Sequence, residues 1–125
     1  MTTHWTLTYD AADPQRLARF WALALGYVDE PRYDSVDATS LTDPEGVLPA
    51  ISFLPVPEGK TAKNRLHIDV RVTAGQADRT VREQRIRAKV GELVAAGATE
   101  VRRESYGESG HVVMLDPEGN EFCVA

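Results

Sequence analysis

Asp116-Pro117-Glu118-Gly119-Asn120 lies between the apolar runs Val112-Val113-Met114-Leu115 and Phe122-Cys123-Val124. Proline sets φ for the second position of a tight turn, and Asp and Gly suit its ends. Apolar runs on both sides predict a β-hairpin. The same tetrapeptide occurs earlier, as Asp43-Pro44-Glu45-Gly46, ahead of Ala50-Ile51-Ser52-Phe53-Leu54. One turn used twice before an apolar run raises the expectation of a duplicated unit.

The segments upstream of each turn fit that expectation. Trp5, Leu7 and Tyr9 alternate with Thr6, Thr8 and Asp10, the pattern of a half-buried strand. Asp13-Pro14 supplies an N-cap with Pro at the first helical position. Leu17, Phe20, Trp21, Ala24 and Leu25 then make one apolar stripe, and Gly26 closes the helix. Short strands are expected around Tyr27–Pro31 and Ser35–Thr42, and a better one over Ala50–Val56, ended by Pro55 and Pro57. Beyond a polar loop, Leu66, Ile68, Val70 and Val72 alternate with Arg65, His67, Asp69 and Arg71, the clearest strand in the chain. A charged helix is expected within Gln76–Ala96, weakened at Gly91 and capped by Gly97. Strands follow at Thr99–Arg103, His111–Leu115 and Glu121–Val124.

Each half therefore reads strand, helix, strand, strand, strand. The predicted class is α+β, one domain over residues 1–125 built from two βαβββ repeats, about 1–57 and 65–125, with 58–64 as linker. A unit of about 60 residues buries too little surface to be secure alone, so two are expected to share one sheet system. Helices should cover the side of Trp5, Leu7, Tyr9, Leu66, Ile68 and Val70. The opposite side carries Thr6, Thr8, Asp10, Arg65, His67, Asp69, Arg71 and Glu121. That side is either a solvated surface or, if the sheets curve toward each other, the lining of a cleft.

Composition narrows the function classes. The 42% apolar content supports a packed core. A net charge of −5 argues against nucleic acid as the main partner, because phosphate binding wants a basic face. No apolar run approaches the roughly 20 residues of a membrane span. Met1-Thr2-Thr3-His4-Trp5 lacks the features of a signal peptide, and Cys123 is the only cysteine, so no internal disulfide can form. A cytoplasmic protein is the expectation.

Ala12-Asp13-Pro14 with Leu17-Ala18-Arg19-Phe20-Trp21 and Leu25-Gly26 begins a series of familiar pieces. Lys63-Asn64-Arg65-Leu66-His67-Ile68-Asp69-Val70, Ala96-Gly97-Ala98 and Asp116 to Val124 continue it. In this order the chain resembles the vicinal oxygen chelate superfamily, which contains glyoxalase I, bleomycin-resistance proteins and extradiol dioxygenases, and more narrowly its small bacterial glyoxalase-like domains. The resemblance implies a curved eight-stranded mixed-sheet cleft with helices on the outer faces. It also implies a homodimer, which twofold symmetry favours for a small domain with apolar surface to cover.

The superfamily's metal enzymes hold a divalent ion with His, Gln or Glu from the first and last strand of each repeat. Here those positions fall on Thr6, on Ser52 or Leu54, on His67 and on Cys123. His67 alone is a usual ligand, so the usual metal site is expected to be lost and no cofactor required. A shifted divalent site of His4, His67 and Glu121 is the alternative, a two-His-one-carboxylate set. The expected function is binding or sequestration of a small organic molecule, in the manner of the bleomycin-resistance branch. The competing expectation is a lyase, isomerase or dioxygenase using His67 with a shifted or absent metal. His67 is the candidate ligand or acid–base group. Thr6, Thr8, Ser52, Arg65, Asp69, Arg71, Glu121 and Cys123 are the candidate binding residues. Arg65 and Arg71 suit a carboxylate or phosphate, or else pair with Asp69, Asp10 or Glu121. Cys123 reads as a small buried apolar residue rather than a nucleophile.

Overall fold

The computed structural model describes residues 1–31, 37–106 and 109–125. The chain divides into two compact units, Met1–Gly59 and Lys60–Ala125.

In the first unit, β1 (Leu7–Ala11) leads to α1 (Pro14–Leu25), then β2 (Val28–Asp29), β3 (Thr39–Thr42) and β4 (Ile51–Pro55). The sheet order is β1-β4-β3-β2, with β1 parallel to β4 and the remaining pairs antiparallel. Asp13 caps α1 by accepting the Arg16 N–H at 3.2 Å, Pro14 follows at the helix start, and Gly26 ends it at φ 72°. The buried stripe Leu17, Ala18, Phe20, Trp21 and Ala24 packs on β1, β3 and β4. Tyr9 stacks between Trp21 and Phe53, with centroids 5.8 and 5.5 Å away.

The second unit repeats this plan. It runs β5 (Ile68–Val70), α2 (Arg79–Ala95), β6 (Thr99–Tyr106), β7 (Ser109–Leu115) and β8 (Glu121–Val124), in the order β5-β8-β7-β6. Again the first strand is parallel to the last and the others are antiparallel. Ile86, Val90 and Leu93 bury the apolar face of α2, which packs on β6, β7 and β8. Two four-stranded sheets of identical order are therefore present, each with its own helix.

The two Asp-Pro-Glu-Gly turns share their hydrogen bonds. Gly46 N–H donates to Asp43 C=O and Gly119 N–H to Asp116 C=O, both at 2.9 Å. Glu45 and Glu118 N–H donate to the Asp43 and Asp116 carboxylates, both at 2.9 Å. Gly46 and Gly119 have φ of 70° and 84°, which only glycine adopts without steric cost. Their sequels differ. Asn120 leads straight into β8, whereas Val47 to Ala50 intervene before β4, and Asp43 accepts the N–H groups of Val47 and Leu48. These donors hold the Asp43 carboxyl below the usual carboxylate range.

Several expectations need correction. Trp5 and Leu66 do not lie under helices: they precede β1 and β5 and are 62% and 67% exposed. β1 begins only where Leu7 meets Ile51, and β5 only where Ile68 meets Phe122, so alternation continued past the last paired residue. The strand expected at Ser35–Thr42 is Thr39–Thr42, and residues 35 and 36 lie outside the described residues. α2 ends at the cap Ala96, with Gly97 one position later at φ 113°. Gly97 and Ala98 N–H donate back to Val94 and Leu93 C=O, a Schellman closure.

Candidate functional site

β5 and β8 run parallel and place their alternate residues on two faces. Ile68, Val70, Phe122 and Val124 share the face that α2 covers, while Asp69 and Cys123 pair on the other. β7 continues the polar face with Val113 opposite Cys123, and β6 with Arg102 opposite Val113. This face carries a pocket of about 450 Å³ lined wholly by residues of the second unit. His67, Asp69, Arg71, Glu121 and Cys123, all expected from the sequence, line it. Arg65 is exposed and not in the lining.

Thr6, Thr8 and Ser52 belong to the first unit. Thr6 precedes β1, and Thr8 and Ser52 face each other across β1 and β4. Ser52 Oγ donates to Ser40 Oγ at 3.2 Å, and Ser40 Oγ to Ile51 C=O at 3.3 Å, so this row already carries its own hydrogen bonds. His4 is exposed ahead of β1.

Most pocket charges are already committed. Glu121 pairs with Lys63 and donates its N–H to Asn64 Oδ1 at 3.1 Å. Lys63 above all holds the Glu121 carboxyl below its usual range, with smaller help from Asn64 and His67. Burial pushes the Cys123 thiol up, and the Asp69 and Glu104 carboxylates push it further. Cys123 therefore stays a neutral thiol at neutral pH. Its sulfur also shares a hydrogen bond with Asp69. Among the described residues, His67 and Arg71 form neither a side-chain hydrogen bond nor an ion pair.

A third cluster escaped the sequence reading. Arg102 Nε donates to Glu104 Oε1 at 2.7 Å, and the other carboxylate oxygen lies 3.0 Å from His111 Nε2. Glu104 in turn holds the Arg102 guanidinium up. A register shift between Glu100 and Arg102 puts these side chains in the pocket. Thr99 and Leu115 are paired, as are Glu100 and Met114, but Arg102 then meets Val113, and Val101 is extra. Past this bulge the alternation is inverted, and Arg102 and Glu104 reach the polar face. Arg103 turns to the helix side and pairs with Glu83 of α2, as Glu100 does with Arg87. Strict alternation from Thr99 would have offered Val101 and Arg103 instead. The Asp-Pro-Glu-Gly pairing, which fixes β7 and β8, carries no signal for a bulge in β6.

Thr6, Ser52, His67 and Cys123 stand at the superfamily's metal positions. The neutral thiol of Cys123 is a poor ligand, and Thr6 and Ser52 are weaker still. Among the described residues no three His, Cys, Asp or Glu side chains are grouped to hold an ion. The residues present do not fit the usual divalent centre.

The model of the glyoxalase-like domain matches residues 6–125. No curated protein sequence matches the chain. Among solved structures, a glyoxalase/bleomycin resistance protein/dioxygenase family enzyme from Burkholderia phytofirmans is similar at TM-score 0.70 and 21% identity, over 95% of this chain and 94% of that one. A possible glyoxalase from Bacillus cereus is similar at 0.69 and 14%, over 99% and 98%. Fosfomycin resistance protein FosX from Listeria monocytogenes, complexed with Mn(II) and sulfate, is similar at 0.73 and 11%, over 99% and 89%. At these identities the structures speak to fold alone. With the family match across nearly the whole chain and two sheets of one topology, this protein belongs to the glyoxalase-like domain family of the vicinal oxygen chelate superfamily.

Proposed function

We propose that this protein binds a small organic acid in the polar pocket of its second unit and acts by sequestering it, as in the bleomycin-resistance branch. The supporting observation is that, among the described residues, His67 and Arg71 line the pocket without a side-chain hydrogen bond or ion pair, while Lys63, Glu121, Arg102 and Glu104 are in ion pairs. A guanidinium and an imidazole flank Asp69, two residues to either side, just beyond the ends of β5. Val113 and Ala125 also line the pocket. A few placed polar groups over an apolar floor suit a small ligand with one acidic or carbonyl group. A thermal-shift screen of carboxylates, phosphonates and phenols is expected to give a stabilising ligand. Arg71→Ala should weaken it by tenfold or more, roughly the 1.5–3 kcal/mol of a charge-assisted bond, and His67→Ala less. Unchanged binding in both folded variants would remove these side chains from the site.

Retention of His67 at a superfamily ligand position favours the second reading, an enzyme with a shifted or absent divalent ion. Elemental analysis after purification without chelators separates the two. A tightly held ion lost in His67→Ala would favour the enzyme.

The proposed assembly is a cytoplasmic homodimer. No helix among the described residues is long and apolar enough to cross a membrane. Trp5, Val47 and Leu48 of the first unit are 62%, 76% and 60% exposed, apolar surface that a second copy would cover. Light scattering at micromolar concentration should give twice the chain mass, and the chain mass itself would overturn the dimer.

A further inference from the structure

Arg82 lines the pocket from α2, and the small-acid reading gives it no role. It stands one turn in from the Asp78 cap, near the end of the helix where a cation is disfavoured, so helix stability does not account for it. The loop ahead of the helix holds its guanidinium. Arg82 Nη1 donates to Gln76 C=O at 3.0 Å, Gln76 N–H donates to Thr73 C=O at 3.1 Å, and the Gln76 side chain accepts the Asp78 N–H at 2.9 Å. Thr73 is buried and lines the same pocket. The N–H groups on Arg82 Nε and Nη2 meet no protein acceptor among the described residues. The charges of the lining then sort themselves. Lys63 pairs with Glu121 and Arg102 with Glu104, which leaves Arg71 and Arg82 against Asp69. Two cations against one carboxylate is an excess of one positive charge, in a chain whose net charge is −5. Among the described residues, the Asp69 side chain accepts only from the Cys123 thiol, so lone pairs remain on its carboxylate.

We propose that Arg71 and Arg82 together hold the carboxylate of the ligand, that Asp69 accepts a hydroxyl of the same molecule, and that the pocket therefore takes small hydroxy acids. This rests on the small-acid reading of the pocket above. A carboxylate matches the paired N–H groups of one guanidinium and has lone pairs left for a second. Arg82 is already ordered by Gln76, so binding does not have to immobilise a free arginine side chain. Asp69 and Arg71 are separated only by Val70 and line the same pocket, so one small molecule can reach both. A singly charged acid cancels the excess of one. A dicarboxylate would leave a negative charge uncancelled beside Asp69, and an amino acid, neutral overall, would leave the positive excess in place. An acid without a hydroxyl would cover Asp69 without giving it a donor, and that cost turns the wrong ligand away.

The test uses lactate, propionate, malonate and alanine, acids on the smallest frame that carries these groups. Their affinities for the intact chain are compared at neutral pH by saturation-transfer NMR with increasing acid. Lactate should bind roughly fivefold or more tightly than each of the others, the effect of one hydrogen bond. Arg71→Gln and Arg82→Gln should each weaken lactate roughly tenfold, the effect of a charge-assisted bond. Arg79→Gln and Arg85→Gln, which remove cations of the same helix outside the lining, should change it little. Asp69→Ala should erase the advantage of lactate over propionate while propionate binds at least as well as before, which a merely structural role for Asp69 would not produce. Circular dichroism confirms that each variant is folded. Equal binding of lactate and propionate by the wild type, tighter binding of malonate or alanine, or an effect of Arg82→Gln no larger than that of Arg79→Gln would each overturn the proposal while leaving the small-acid pocket standing. No saturation transfer to any of the four acids would count against the small-acid pocket and the hydroxy-acid clamp together.

Discussion

Replacing Trp21 with alanine should lower stability by about 3–5 kcal/mol, the range for emptying a large aromatic site in a core. Trp21 is fully buried, and its ring stacks on Tyr9 at 5.8 Å and on Phe20 at 5.4 Å. Tyr9 stacks in turn on Phe53 of β4, so this aromatic column joins α1 to both strands of the parallel pair. Its loss removes the transfer energy of the indole and leaves a cavity that Leu17 and Phe53, themselves fully buried, cannot fill without leaving their own sites. Domains of this size have about 5–15 kcal/mol in total, so the variant should be marginal. Urea unfolding followed by circular dichroism is the measurement. Trp21→Phe should recover most of the loss, and Leu23→Ala, on the same helix but 46% exposed, should change little. Equal midpoints for Trp21→Ala and Leu23→Ala would refute this account of the first core.

That column was legible in the sequence because α1 has one strong apolar stripe bounded by Asp13-Pro14 and Gly26. The second unit was legible for a different reason. Its helix is charged and its first strand pairs over only three residues, but the turn at Asp116 fixes β7 against β8. Where local chemistry dictates the backbone, as at the two turns and at the caps of α1, the reading and the fold agree. Where pairing decides, as at Trp5 and Leu66, it overreached, because alternation does not say how far a partner strand extends.

The candidate site divides along the same line. Asp69, Glu121 and Cys123 were found because period two holds through β5 and β8, and His67 and Arg71 flank β5 and line the same pocket. Arg102, Glu104 and His111 were missed because the extra residue near Val101 inverts β6 before it reaches the pocket. Charge on α2 matches the residues that the strand turns toward it. Glu83 and Arg87 pair with Arg103 and Glu100 on the helix side, and the register shift lies between these two strand residues. Such a long-range preference is written in two separate elements, and neither one shows it alone.

The turn that organises the second unit supports the other large effect. Asp116→Ala should cost about 3 kcal/mol, because a buried acceptor of several N–H groups is lost at once. Asp116 is 3% exposed and Asn120 9%. Asp116 Oδ1 accepts the backbone N–H of Glu118 at 2.9 Å and of Asn120 at 3.0 Å, and the Asn120 amide reaches Oδ1 and Oδ2 at 3.1 and 2.9 Å. Alanine leaves the Asn120 donors inside the protein with no carboxylate and little access to water. The equivalent Asp43→Ala should cost much less. Asp43 accepts N–H groups of Glu45, Val47 and Leu48, all exposed, so water replaces it there. Asp116→Asn should fall between, since an amide oxygen still accepts the backbone N–H groups but its NH₂ opposes that of Asn120. Because Glu121 and Cys123 enter the pocket directly after Asn120, Asp116→Ala should also weaken ligand binding in the fraction that stays folded. Urea midpoints of the three variants, with binding measured well below each midpoint, check both parts. Equal losses at Asp116 and Asp43 would show that burial does not set the cost of these turns, and undiminished binding in Asp116→Ala would show that the turn does not position the site.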